Sequence, residues 1–139
     1  MELTPMRSLI PALCPGLALT LVAATASAGD VYVICSPGVS LQATEVREVF
    51  IGEKGFAGAV KLVPADNGAA QPAFLERVLK VDLNKYASIW TKKSFRDGAS
   101  PPSVKATDAE AAAFVKSTPG ACSYVGSAPP AGVTVVAKF

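Results

Sequence analysis

The 139-residue sequence contains no histidine, and this absence bears directly on catalysis. Histidine is the side chain that enzymes most often use as a general base near neutral pH. The sequence also has no Gly-x-Ser-x-Gly motif, no Cys–His pair and no group of side chains at metal-ligand spacing. Glu45 and Glu48 are three residues apart on a charged helix face, where water is expected to solvate them. We therefore predict that the protein is not an enzyme and uses no metal or other cofactor.

Charge is also scarce, with 13 basic and 11 acidic residues and a formal net charge of +2. The charged residues are scattered along the chain rather than grouped. Nucleic-acid and anionic-membrane surfaces attract proteins through concentrated positive charge. The charge pattern therefore predicts neither nucleic acid nor membrane as a partner.

The first 28 residues differ in composition from the rest of the chain. Arg7 precedes a run without charge over residues 9–26, and residues 26–28 read Ala-Ser-Ala. A positive charge, an apolar stretch and a small-x-small site together indicate a secretory signal peptide. We predict cleavage after Ala28, which leaves residues 29–139 as a single periplasmic domain with no membrane attachment. The alternative is an uncleaved membrane anchor.

Cysteine is rare, and Cys35 and Cys122 are the two that remain after residue 28. In an oxidising compartment, an even pair predicts a disulfide. Such a bond would close a loop of roughly 87 residues, worth about 4–5 kcal/mol in the chain-entropy description. The alternative is that both are small buried hydrophobic residues that never meet.

Hydrophobic periodicity predicts alternating strands and helices. Apolar runs predict strands at residues 31–35, 60–64, 121–125 and 133–137. Helical spacing predicts helices at 43–51 and 71–80, a third beginning at Asp82, and a fourth opened by the capping box at 107–110. The third helix is expected to bury Leu83, Tyr86 and Trp90. This order predicts an α/β fold, a mixed-sheet α/β sandwich.

Two intervening segments have the composition of irregular structure. Asp66-Asn67-Gly68 is typical of a turn, and residues 95–103 contain the glycine, proline and polar side chains of an exposed loop. We therefore expect a turn at the first segment and an exposed loop at the second.

Several short segments, taken in order, resemble periplasmic phosphate-binding proteins. The segments are residues 46–52, residues 73–79, Trp90 with Gly98, Pro101, Pro102 and Val104, and residues 119–126. The resemblance implies one lobe of a type II periplasmic solute-binding protein, because the chain is too short for the two lobes of the large members. It also implies a connection with ABC-type uptake of phosphate.

The same resemblance places the ligand loop before the second helix. The matching residues here are Asn67, Gly68, Ala69, Ala70 and Gln71. A helix N-terminus attracts anions through its unpaired N–H groups and its dipole. However, alanines stand where the phosphate binders have hydroxyl donors, and Pro72 has no N–H. We therefore expect weak binding of a small, phosphate-like anion. The alternative function is a ligand-free protein-interaction domain with a partner in the cell envelope.

Overall fold

A five-stranded sheet runs through the protein in this computed structural model, which describes residues 30–139. The strands in chain order are β1 (Tyr32–Cys35), β2 (Phe56–Ala57), β3 (Val60–Lys61), β4 (Val63–Asn67), β5 (Ser103–Lys105), β6 (Ala121–Val125) and β7 (Thr134–Lys138). Strands β2 and β3 form a separate hairpin, and the main sheet has the order β5-β4-β6-β1-β7. Strand β4 is parallel to β5 and β6, whereas β1 is antiparallel to β6 and β7. The predicted signal peptide and its cleavage site lie outside the described residues.

Four helices connect these strands. They are α1 (Val46–Phe50), entered through a 3-10 turn (Ala43–Glu45), α2 (Gln71–Phe74), which continues as a π-helical turn (Leu75–Leu79), α3 (Leu83–Asp97) and α4 (Asp108–Ser117). Two begin with the predicted caps, since Asp82 accepts a hydrogen bond from the Lys85 N–H and Thr107 accepts one from the Glu110 N–H. Within residues 30–139, no helix has the length and apolar character needed to cross a membrane.

Alternation along the buried strands divides the core into two layers. On β1, Val33 and Cys35 face the larger hydrophobic cluster, which packs against α1, α2 and α3. Ile34 faces the opposite side and joins the smaller cluster, which packs against α4. Successive strand residues point to opposite faces, so a strand that is apolar throughout must be covered on both sides. The predicted mixed-sheet α/β sandwich is confirmed.

Three aromatic rings join the helical layer to the sheet. Phe74 on α2 stacks on Tyr124 of β6 with ring centroids 3.8 Å apart. Phe50 on α1 approaches both rings edge-on, at 4.8 Å from Phe74 and 5.5 Å from Tyr124. Edge-to-face and stacked pairs of this kind are worth about 0.5–1.5 kcal/mol beyond the area that they bury. The three rings thus hold α1 and α2 against β6.

The predicted disulfide is confirmed. Cys35 lies directly opposite Cys122 in the antiparallel register of β1 and β6, with Cα atoms 4.0 Å apart. Their sulfur atoms are 2.07 Å apart, and both residues are fully buried. The bond connects two interior strands whose positions in the chain are 87 residues apart.

The predicted strand at residues 60–64 is wrong in its extent. Val60 and Lys61 belong to the separate hairpin, and the sheet strand β4 continues through Pro64 to Asn67. A proline normally interrupts a strand because it cannot donate a backbone hydrogen bond. Here pairing with β5 begins only at Ala65, so the missing N–H of Pro64 disrupts no bond to that neighbour.

Three further expectations are corrected by the structure. Asp66 and Asn67 are buried residues at the end of β4 rather than a turn, and the turn follows at residues 68–70. Residues 95–103 are not one loop, because α3 continues to Asp97 and β5 begins at Ser103. Leu83 is 57% exposed, while Tyr86 and Trp90 are buried as predicted.

Candidate functional site

The loop at residues 67–71 lies at the carboxyl ends of the parallel strands. After β4 the chain passes through α2 and α3 to β5 on one side, and after β5 it crosses through α4 to β6 on the other side. The crevice between the ends of β4 and β6 is therefore a topological switch point, where open α/β sheets bind their ligands. All five predicted site residues are brought to this edge.

Most backbone donors of this loop are already engaged within the protein. The Gly68 N–H donates to the Lys105 carbonyl oxygen at 2.8 Å. The N–H groups of Ala69 and Ala70 donate to the side-chain and main-chain oxygens of Asn67, both at 3.1 Å. Since Pro72 has no N–H, the half-buried side chain of Gln71 is the polar group of the loop best placed for a ligand.

Asp108, the first residue of α4, lies at the same edge and was not predicted from the sequence. Its carboxylate accepts hydrogen bonds from the Asn67 amide at 2.6 Å, from the Ser127 hydroxyl at 2.9 Å and from the Gly126 N–H at 3.3 Å. The start of α4 also favours a negative charge through the helix dipole. Asp108 thus takes up donors that would otherwise be available to a small anion. The capping box at residues 107–110 includes this aspartate, but its hydrogen bonds to Asn67 at the end of β4 and to the two residues after β6 require the folded chain.

A second polar group lies deeper, beneath α3. The carboxylate of Asp66, only 2% exposed, accepts hydrogen bonds from two tyrosine hydroxyls. The Tyr86 hydroxyl lies 2.8 Å from Oδ2 and 3.0 Å from Oδ1, and the Tyr124 hydroxyl lies 3.0 Å from Oδ1. Burial raises the pKa of Asp66, and the two tyrosine hydrogen bonds partly oppose that increase. Burial, followed by the charge of Asp66, raises the pKa of both tyrosines. Perturbed groups next to a cavity identify candidate binding sites.

Asp66 forms part of the wall of a cavity of about 400 Å³. The cavity lies between α3 and residues 101–104, next to the loop at residues 67–71. Its apolar walls include Tyr86, Trp90, Pro101, Pro102 and Val104. A buried carboxylate among aromatic and proline side chains can bind a ligand. In the described part of the chain, no group of three or more cysteine, aspartate or glutamate side chains could hold a metal ion.

Replacing Asp66 with asparagine should make stability less dependent on pH. Because the pKa of Asp66 is raised in the folded protein, protonation of this carboxyl favours folding. That contribution is present below the ordinary value of 3.8 and is lost as the pH rises through the higher folded value. The free energy of unfolding of Asp66→Asn, measured by urea denaturation, should therefore increase relative to wild type as the pH is raised.

The matched control is Asp97→Asn, which alters an exposed carboxylate on α3. The neighbouring Arg96 lowers the pKa of Asp97, so this variant should show no relative gain in stability with pH. If the free energy of unfolding depends on pH equally in Asp66→Asn and in wild type, then Asp66 has the same pKa in the folded and the unfolded chain.

No known protein family matches this chain, and no curated protein is significantly similar to it. Its function must therefore be inferred from the carboxyl edge of the sheet and the adjacent cavity.

Proposed function

We propose that the protein is an exported, non-enzymatic solute-binding domain that resembles one lobe of a type II periplasmic solute-binding protein. Its ligand would be a small, phosphate-like anion bound weakly at residues 67–71. The observation that carries this proposal is the position of the loop at the switch point between β4 and β6. A role in ABC-type uptake rests on the resemblance of the sequence segments.

The hydrogen bonds of the site give the reason for weak affinity. The N–H groups of Gly68, Ala69 and Ala70 already have acceptors, and the Asp108 carboxylate would repel an anion at the same edge. An anion that binds here would lose hydrogen bonds to water and gain few hydrogen bonds to the protein in their place. We expect dissociation constants in the millimolar range or weaker, equivalent to about −4 kcal/mol or less favourable.

A phosphate and sulfate titration followed by NMR would test this proposal. Wild type should show small, saturating shifts confined to residues 67–71. Ala69→Ser should bind more tightly, by roughly ten- to a hundredfold, because a hydroxyl donor to an anion adds about 1.5–3 kcal/mol. Asp108→Asn should also bind more tightly, because it removes the negative charge and leaves a side chain of similar shape.

Ala59→Ser is the matched control, since it adds the same hydroxyl at an exposed position between β2 and β3. It should bind phosphate as wild type does, and chloride at equal ionic strength should cause no localised shifts. If neither wild type nor Ala69→Ser nor Asp108→Asn responds near residues 67–71, the anion proposal is wrong.

The second candidate function is a protein-interaction domain of the cell envelope. It is supported by large apolar side chains on the surface: Phe95 is 89% exposed, Val104 is 62% exposed and Leu83 is 57% exposed. Exposed apolar groups are a feature of interaction surfaces when they are contiguous, and Leu83 and Val104 border the same cavity. This function becomes the better explanation if the anion titrations fail.

A further inference from the structure

The cavity beside Asp66 has the size of a small-molecule site. Its volume of about 400 Å³ falls within the range of roughly 300–1,000 Å³ that is usual for ligand pockets. It lies along α3 and does not include Asp108 or the groups that donate to it, although Gln71 belongs both to its lining and to the loop at residues 67–71. The cavity can therefore be considered apart from the proposed anion site.

The charge of this cavity has one source. Among its lining residues, Asp66 is the one acidic or basic side chain. The three ion pairs within residues 30–139 join Lys54 to Glu45, Arg96 to Asp97 and Lys138 to Asp30, so none of them neutralises Asp66. A buried carboxylate without a positive partner is unfavourable, and a cation in the cavity would relieve that cost.

The hydrogen bonds of Asp66 leave room for a further donor. A carboxylate offers about four acceptor positions. The hydroxyl protons of Tyr86 and Tyr124 engage two of these positions, and Oδ2 receives only the contact from Tyr86. Asp66 therefore keeps unused acceptor positions. Because the residue is only 2% exposed, an ammonium group reaches them when the cavity wall shifts.

The remaining walls suit the rest of such a ligand. Trp90 and Tyr86 are the ring types that attract cations most strongly. Pro101, Pro102 and Val104 provide an apolar surface opposite α3, and they favour a compact hydrocarbon body over an extended polar one.

We propose that this cavity binds a small organic cation, a primary ammonium carried on a compact apolar group. The ammonium lies against Asp66, and the apolar group packs between α3 and the two prolines. This inference does not depend on the proposed anion binding, which concerns another ligand at residues 67–71.

The proposal can be tested with benzylamine as the probe and benzyl alcohol as its uncharged counterpart. Each is titrated into the full-length protein, and the indole N–H of Trp90 and the backbone amides of α3 are followed by NMR. Benzylamine should shift these signals and saturate. Benzyl alcohol should bind at least about tenfold more weakly, because it lacks the charge-assisted hydrogen bond to Asp66.

Three variants test whether Asp66 binds the ammonium group and whether binding takes place in this cavity. Asp66→Asn should weaken benzylamine binding by about tenfold or more and leave the alcohol unchanged. Asp97→Asn removes the same charge from the exposed end of α3 and should bind benzylamine as wild type does. Ala87→Trp fills the cavity from an exposed helix position while Asp66 stays in place, and it should abolish binding of both probes.

Three results would overturn the proposal. They are equal affinity for amine and alcohol, unchanged amine binding by Ala87→Trp, and shifts that map away from α3. Because Ala87→Trp retains Asp66 and its tyrosine partners, it keeps the test decisive even if Asp66→Asn does not fold. Phosphate titration of the same samples reports separately on residues 67–71.

Discussion

Reduction of the Cys35–Cys122 disulfide should lower the free energy of unfolding by about 4–5 kcal/mol. The bond restricts the unfolded chain over a separation of 87 residues, and long loops gain most from closure in the chain-entropy description. A domain of this size commonly has a total stability of only about 5–15 kcal/mol. The reduced protein should therefore be close to unfolding at 37 °C.

Urea denaturation of the oxidised and the reduced wild-type protein measures the contribution of the disulfide alone to the free energy of unfolding, because both sulfur atoms remain in the core. The double variant Cys35→Ala/Cys122→Ala should be at least as unstable as the reduced protein, since it also leaves space between β1 and β6. A difference below about 1 kcal/mol between the oxidised and reduced proteins would contradict the entropic explanation.

Gly120→Ala should destabilise the protein by at least about 3 kcal/mol, because backbone strain and a steric overlap of the new methyl group add together. Gly120 has φ +81°, a conformation that residues with a side chain rarely adopt. A Cβ atom at this position would also overlap the backbone carbonyl oxygen of Lys61. That carbonyl belongs to β3, so relief requires movement of the hairpin or of the start of β6.

Gly38→Ala separates the two contributions. Gly38 has φ +89°, but a Cβ atom there would meet nothing within 4 Å. It should cost only about 1–2 kcal/mol, the penalty for the left-handed conformation. If thermal or urea denaturation gives equal losses for the two variants, then overlap with Lys61 contributes nothing.

Local patterns in the sequence predict the parts of the fold that depend on neighbouring residues. The apolar runs of β1 and β6 are buried on both faces, and Asp82 and Thr107 cap their helices as expected. By contrast, β5 has three residues and two of them are exposed, so it carries almost no hydrophobic signal. It becomes a strand because its backbone pairs with the end of β4.

The candidate sites show the same difference between local and distant contacts. The loop at residues 67–71 was predicted from the resemblance of neighbouring segments to phosphate-binding proteins, which needs only contiguous sequence. The partners of Asp66 could not, because Tyr86 and Tyr124 lie 20 and 58 residues further along the chain. Asp66 and Asn67 are residue types that favour turns, and burial with distant partners outweighs that preference.

The placement of β1 bears on when the protein can fold. This strand lies inside the sheet, and both of its neighbours, β6 and β7, come from residues 121–138. During synthesis β1 emerges before both of its neighbours, so it has no strand of its sheet to pair with until residues 121–138 have followed. Pairings between distant segments also slow folding, because a long loop must close before they form. Strand β1 therefore stays unpaired until β6 and β7 have emerged, and the disulfide between Cys35 and Cys122 can form only after residue 122 has been released.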